Sequence, residues 1–100
     1  MSGGIVRRVV IFGRVQGVGF RAFVEDEAQA LGLAGWARNR RDGSVEAVFA
    51  GPAETVAAMV AICRQGPRLA RVDHIDEFAA TSADLGMRYS GEAFSLLPTA

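Results

Sequence analysis

The segment Gly13-Arg14-Val15-Gln16-Gly17-Val18-Gly19-Phe20-Arg21 holds the richest material for chemistry in the chain. Its glycines at 17 and 19 stand between a β-branched run and a helical pattern. Glycine lets successive backbone N–H groups converge on one point, and a helix N-terminus adds partial positive charge. A loop running from Gln16 through Gly17, Val18 and Gly19 to Phe20 is therefore a natural cradle for an oxyanion. Arg21 then falls at the start of the helix, where a cation opposes the helix dipole. An anion bound in the loop would remove that conflict, and a guanidinium can grip a phosphate in bidentate fashion. Spacing alone leaves a second reading open: a tight glycine turn followed by a solvated arginine. A third match is formal. Gly17-Val18-Gly19-Phe20-Arg21-Ala22 fits GxGxxG/A, with Asp42 about 20 residues further on, as a dinucleotide site would want. That fold needs a parallel second strand and another crossover helix, whereas the next elements here read as a hairpin.

These residues need a frame. Residues 5–15 are β-branched and apolar, with arginines at intervals, and read as an interior strand. From Phe20, the residues Phe20, Phe23, Val24, Ala28 and Leu31 recur on one helical face, and Gly32 supplies a stop. Residues 34–40 alternate, with Trp36, Arg38 and Arg40 on one side and Gly35, Ala37 and Asn39 on the other. Asp42-Gly43 provides a tight turn into a second alternating strand, 44–50, closing a hairpin. Gly51-Pro52 opens a second helix, with Pro52 in its first turn. Val56, Met59, Val60 and Cys63 form its apolar stripe, and Arg64, Gly66 and Pro67 end it. Residues 69–79 read as a strand, 80–87 as loop, and 88–97 as room for one more short strand. The order β-α-β-β-α-β predicts a ferredoxin-like α+β fold, an antiparallel sheet with both helices on one face.

Composition narrows the function classes. The 100 residues carry 11 basic and 11 acidic side chains and one cysteine, which suits one domain in a reducing cytosol. Zero formal charge gives no bulk attraction to nucleic acid or anionic lipid. Every basic residue is arginine, so Schiff-base chemistry and a P-loop lysine are excluded. The run Val9–Phe12 is too short for a signal sequence or a membrane span. A lone cysteine makes neither an internal disulfide nor a multi-cysteine zinc site.

Two segments, GRVQGVGFR (13–21) and GWARNRRDGSVE (35–46), resemble the signature segments of the acylphosphatases. They occur in order, at family-like separation, in a chain of family-like length. The likeness extends over residues 7 to about 79 and fades in the tail, 80–100. It implies a ferredoxin-like fold with an added C-terminal strand, for which Phe94-Ser95-Leu96 is the best match. It implies hydrolysis of acyl phosphates to carboxylate and inorganic phosphate, without metal or cofactor. By motif, Arg21 is the phosphate-binding arginine and Asn39 the asparagine that positions the attacking water. Gln16, Gly17, Val18, Gly19 and Phe20 would supply the phosphate cradle.

Other residues attract attention with less reason. His74 lies beside Asp73 and Asp76, but one imidazole and two strand carboxylates on opposite faces make a poor metal site. Cys63 on the apolar stripe reads as buried and inert, and Trp36 as packing. Arg38, Arg40 and Arg41 form a basic cluster in the motif-bearing half, able to draw anionic substrates. The competing classes are a non-catalytic ferredoxin-like module for a small ligand or RNA, and a carbamoyl-phosphate-handling domain of a larger maturation protein. RNA modules of this fold stack bases on sheet aromatics. Phe12 is available here, but the third strand lacks the arginine-glycine-aromatic run they use. The expectation is thus a monomeric cytoplasmic enzyme whose partner is a small acyl phosphate, with no nucleic-acid or membrane partner.

Overall fold

The β-branched run near the start forms β1, Gly4–Arg14, in a computed structural model that describes residues 4–100. The further elements are α1 (Phe20–Ala30), β2 (Ala34–Asn39), β3 (Val45–Pro52), α2 (Ala53–Gln65), β4 (Arg71–Ala79), α3 (Ser82–Leu85) and β5 (Phe94–Leu96). The strands lie in the order β4-β1-β3-β2-β5. β1 pairs antiparallel with β3 and β4, and β2 pairs antiparallel with β3. β5 runs parallel to β2, so the sheet is mixed rather than purely antiparallel. The long return from β2 to the far end of the chain allows that direction, which a tight hairpin would forbid.

Alternation sorts the side chains into two layers. Val9 and Ile11 of β1, Val45, Ala47 and Phe49 of β3, and Ile75 of β4 face the two long helices. There they meet Phe20, Val24 and Ala28 of α1 and Val56, Met59, Val60 and Cys63 of α2. Burial without a hydrogen-bonding partner pushes the Cys63 thiol up to about 12, so it is no nucleophile at neutral pH. Leu31, expected on this stripe, is 37% exposed. α1 ends at Ala30, and the chain turns away at the Leu31 cap before the stripe is completed.

The opposite face carries Trp36 and Val48 under Leu97 and Leu85. Leu85 belongs to α3, where the sequence reads as loop. Thr81 and Asp84 make a capping box: the Thr81 hydroxyl accepts the Asp84 N–H at 3.3 Å, and the Asp84 carboxylate accepts the Thr81 N–H at 2.8 Å. Four residues are too few to show helical periodicity. The Trp36 indole N–H donates to the Asp84 carbonyl at 2.7 Å, pinning α3 over the sheet. Two further boundaries shift. Pro52 ends β3 as the N-cap of α2 instead of sitting in its first turn. Leu69 lies in the turn before β4 and is 68% exposed. Among the described residues no helix is long and apolar enough to cross a membrane.

Gly35 decides how closely β2 approaches β3. Its φ is 155°, and a Cβ there would run into the Val48 carbonyl oxygen. Gly35→Ala should therefore lower unfolding free energy by about 3 kcal/mol or more, in the range of severe backbone and packing defects. Urea denaturation checks this: the midpoint should fall with the slope unchanged.

Candidate active site

The loop is held at both ends by buried apolar side chains, Val15 before it and Phe20 after it. Between them, Gly17 and Gly19 have φ values of 72° and 78°. A Cβ at either would touch nothing within 4 Å, so the demand for glycine is conformational rather than spatial. Gly19 is also the N-cap of α1, and no side chain caps that helix end. The first helical hydrogen bond runs from Phe23 N–H to the Gly19 carbonyl at 3.1 Å. Among the described residues, no backbone N–H from Gln16 to Ala22 donates to another backbone carbonyl. A bare loop and a bare helix N-terminus thus present consecutive donors, the electrostatic equivalent of a partial positive charge.

Arg21 is the second residue of α1 and is partly buried. It enters none of the ion pairs among the described residues. No acidic residue stands in the first turn to balance it against the helix dipole.

Asn39 ends β2 opposite Val45 of β3. Its backbone carbonyl accepts the Ala100 N–H at 3.0 Å, and the Arg41 N–H donates to the Ala100 carbonyl at 2.9 Å. The backbone around Asn39 is therefore fixed on both strand edges. The turn that follows is also firm. Arg40 N–H donates to the Ser44 carbonyl at 2.9 Å, and Gly43 N–H to the Arg40 carbonyl at 3.1 Å. Asp42 accepts from the Ser44 N–H at 2.9 Å and from its hydroxyl at 2.6 Å. These bonds hold the Asp42 carboxyl below its ordinary value, the hydroxyl contributing most. This support is present above the ordinary carboxylate range and is lost as pH falls through the depressed value.

Loop and turn also meet directly. The Gln16 side-chain amide donates to the Arg40 carbonyl at 2.7 Å and to the Ser44 carbonyl at 2.8 Å. The result is a cleft of about 230 Å³. Val15, Gln16, Gly17 and Gly19 line it from the loop, and Phe20, Arg21 and Ala22 from α1. Asn39 from β2 and Leu96 from β5 complete it. Of the expected site residues, Gln16, Gly17, Gly19, Phe20, Arg21 and Asn39 come together in this cleft. Val18 does not line it; its side chain packs against the main core.

The basic cluster is divided. Arg38 points to the opposite sheet face, where it pairs with the buried Glu46 at 2.7 Å and lies 4.8 Å from the Trp36 ring centroid. Glu46 also receives Arg8 at 3.2 Å. Arg38 is thus committed to structure and is not free to attract substrate. His74 is exposed and stacks on Phe12 at 4.5 Å. No group of three His, Cys, Asp or Glu side chains suited to a metal ion occurs among the described residues.

The sequence profile of the Acylphosphatase family matches residues 7–88. The chain belongs to the acylphosphatase family. That span reaches beyond the two signature segments and takes in α3. An acylphosphatase of Rhodopseudomonas palustris (strain BisB18) is 61% identical over 95 residues, covering 95% of this chain and 96% of that one. The crystal structure of an acylphosphatase from Bacillus subtilis superposes with a TM-score of 0.79 at 35% identity, covering 93% of this chain and 98% of that one. Full-length HypF, solved in a phosphate- and nucleotide-bound form, matches at a TM-score of 0.81 and 25% identity, covering 99% of this chain but 12% of HypF. HypF is thus matched over a small part of its length, while these two bacterial acylphosphatases match along nearly their whole length. The ferredoxin-like acylphosphatase fold with its added fifth strand is the fold observed.

Leu96, Val15 and Ala22 are cleft residues that the motifs alone do not mark. Val15 lies inside the first signature and Ala22 directly follows it, so both can be inferred from it. Leu96 has no local signal; its place depends on β5 pairing beside β2.

Proposed function

We propose that this acylphosphatase hydrolyses the carboxyl–phosphate bond with Arg21 and the loop amides of residues 16–20 as its phosphate site and Asn39 as the holder of the attacking water. The observation that carries the assignment is the single cleft shared by the uncapped α1 N-terminus, Arg21 and Asn39.

The chemistry asks for little more. A carboxylate leaves readily as a weak base, so no general acid is needed. The transition state is loose and its charge stays on the phosphoryl oxygens, which makes positioning and electrostatics the main levers. Arg21 and the converging N–H groups meet that charge. The Asn39 carboxamide accepts from the water and donates to it or to the phosphoryl group, which fixes the line of attack. Asparagine takes no proton near neutral pH. As the water oxygen bonds to phosphorus and the P–O bond to the acyl group breaks, the water's proton passes to a phosphoryl oxygen. The products are carboxylate and inorganic phosphate.

No step in this scheme calls for a metal or a cofactor: Arg21 and the loop amides meet the phosphoryl charge, and Asn39 holds the water. A monomer working in the cytosol suits it, as does a lone buried thiol. The test is an assay with benzoyl phosphate. Hydrolysis should proceed unchanged in EDTA, with inorganic phosphate inhibiting competitively. Reversible loss in EDTA would overturn the metal-free scheme, and non-competitive inhibition would overturn the shared phosphate site.

A further inference from the structure

We infer that the Gln16 carboxamide is a positioning residue that sets the distance between the phosphate cradle and Asn39. The inference rests on the site reading above and adds to it a role for a side chain that family resemblance counts only as part of the loop.

Both N–H groups of the Gln16 amide are used. One meets the Arg40 carbonyl at 2.7 Å and the other the Ser44 carbonyl at 2.8 Å. Arg40 directly follows Asn39, and Arg40 and Ser44 close the turn on each other through the Arg40 N–H at 2.9 Å. Gln16 opens the loop whose own N–H groups bind no backbone carbonyl. No other side-chain hydrogen bond among the described residues joins this loop to the turn. One carboxamide therefore ties together two segments that are otherwise anchored separately, the loop by β1 and α1 and the turn by β2, β3, Ala100 and its own hydrogen bonds. Its two acceptors are main-chain carbonyls, so it registers the backbone that carries Asn39 without touching the Asn39 side chain. Misplacement of a reacting group by about 1 Å costs up to about 100-fold in rate, so a tie of this kind bears on kcat.

A double-mutant cycle tests it in the full chain, with benzoyl phosphate turnover and inorganic phosphate inhibition as the readouts. Gln16→Met keeps the length of the side chain and removes both donors. It should lower kcat about tenfold, the scale of a lost alignment, while the inhibition constant for phosphate changes less than about twofold, since cradle and Arg21 remain. Placed on Asn39→Ala, the same change should cost less than about twofold, because the group it aligns is gone. Gln16→Asn retains polarity but falls one methylene short, and should reproduce the loss if Gln16→Met does not fold. A tenfold loss that persists undiminished on Asn39→Ala would overturn the inference, as would full kcat in a folded Gln16 variant. Full activity in Asn39→Ala alone would instead overturn the site reading on which it rests.

Discussion

Arg21→Ala should abolish nearly all turnover of benzoyl phosphate while leaving the protein as stable as before, or slightly more so. An arginine that neutralises transition-state charge in phosphoryl transfer contributes about 10³-fold or more. A loss of that size in kcat/KM corresponds to about 4 kcal/mol of transition-state stabilisation. Ground-state binding should suffer too, because in the proposed site the guanidinium meets the same phosphoryl oxygens before reaction. Inorganic phosphate should therefore inhibit the variant at least about tenfold less well, the worth of one charge-assisted pair. Arg21→Lys should rescue little, since a point charge cannot reproduce a planar fork. Stability should move the other way. Arg21 stands in the first turn of a helix with no N-cap side chain and no acidic residue there. Removing a cation from that position relieves about 0.3–1 kcal/mol of unfavourable dipole interaction. A thermal melt in phosphate-free buffer would show the midpoint level or raised. A variant that kept full activity would remove Arg21 from the site. One that lost activity only by unfolding would make its role structural.

Asn39→Ala should behave differently. Its kcat should fall about 100-fold or more, the effect of losing in-line placement of the nucleophile. KM and phosphate inhibition should stay within about threefold, because a group that holds water adds little to ground-state phosphate binding. Asn39→Asp is the sharper comparison. It keeps the shape but replaces the amide donors with a carboxylate, an acceptor only, beside an anionic substrate. It should bind phosphate less well than Asn39→Ala, although it is closer to asparagine in size. If Asn39→Ala raised KM tenfold with kcat unchanged, the carboxamide would be a phosphate ligand and the water would need another holder.

The contrast between the two variants follows from how the site is assembled, and much of that assembly is readable in the chain. Strand alternation put Asn39 on the face away from Trp36 and Arg38, and the structure has Asn39 in the cleft while Arg38 pairs with Glu46 on the far side. The helix start behind Gly19 was equally visible, because the glycine loop runs straight into the apolar stripe that begins at Phe20. What resisted reading depends on partners far along the chain. The charge cluster at 38–41 looked uniform because sequence does not show that Glu46 lies between Arg8 and Arg38. Gln16 gave no sign of its side-chain role because its acceptors are main-chain carbonyls, which every residue possesses. The capping box at Thr81 and Asp84 was legible in principle, but α3 is too short for periodicity to support it. Leu96 entered the cleft through a three-residue parallel pairing that no local pattern encodes.

That same strand order has a consequence for how the protein comes into being. β1 is made first and lies inside the sheet, yet its neighbours are β3 and β4, with Arg7 opposite Ala79. β2 must likewise wait for β5, with Gly35 opposite Phe94. Pairings so distant in sequence raise the contact order, and loop-closure entropy must be met before such contacts reward it. As the chain leaves the ribosome, the loop at 16–20 emerges early and finds no finished sheet to seat it. The turn at 40–44 supplies its first partner, and Leu96 the last wall of the cleft. Activity should therefore appear late and all at once, since a shorter nascent chain holds the signature residues without the frame that aligns them.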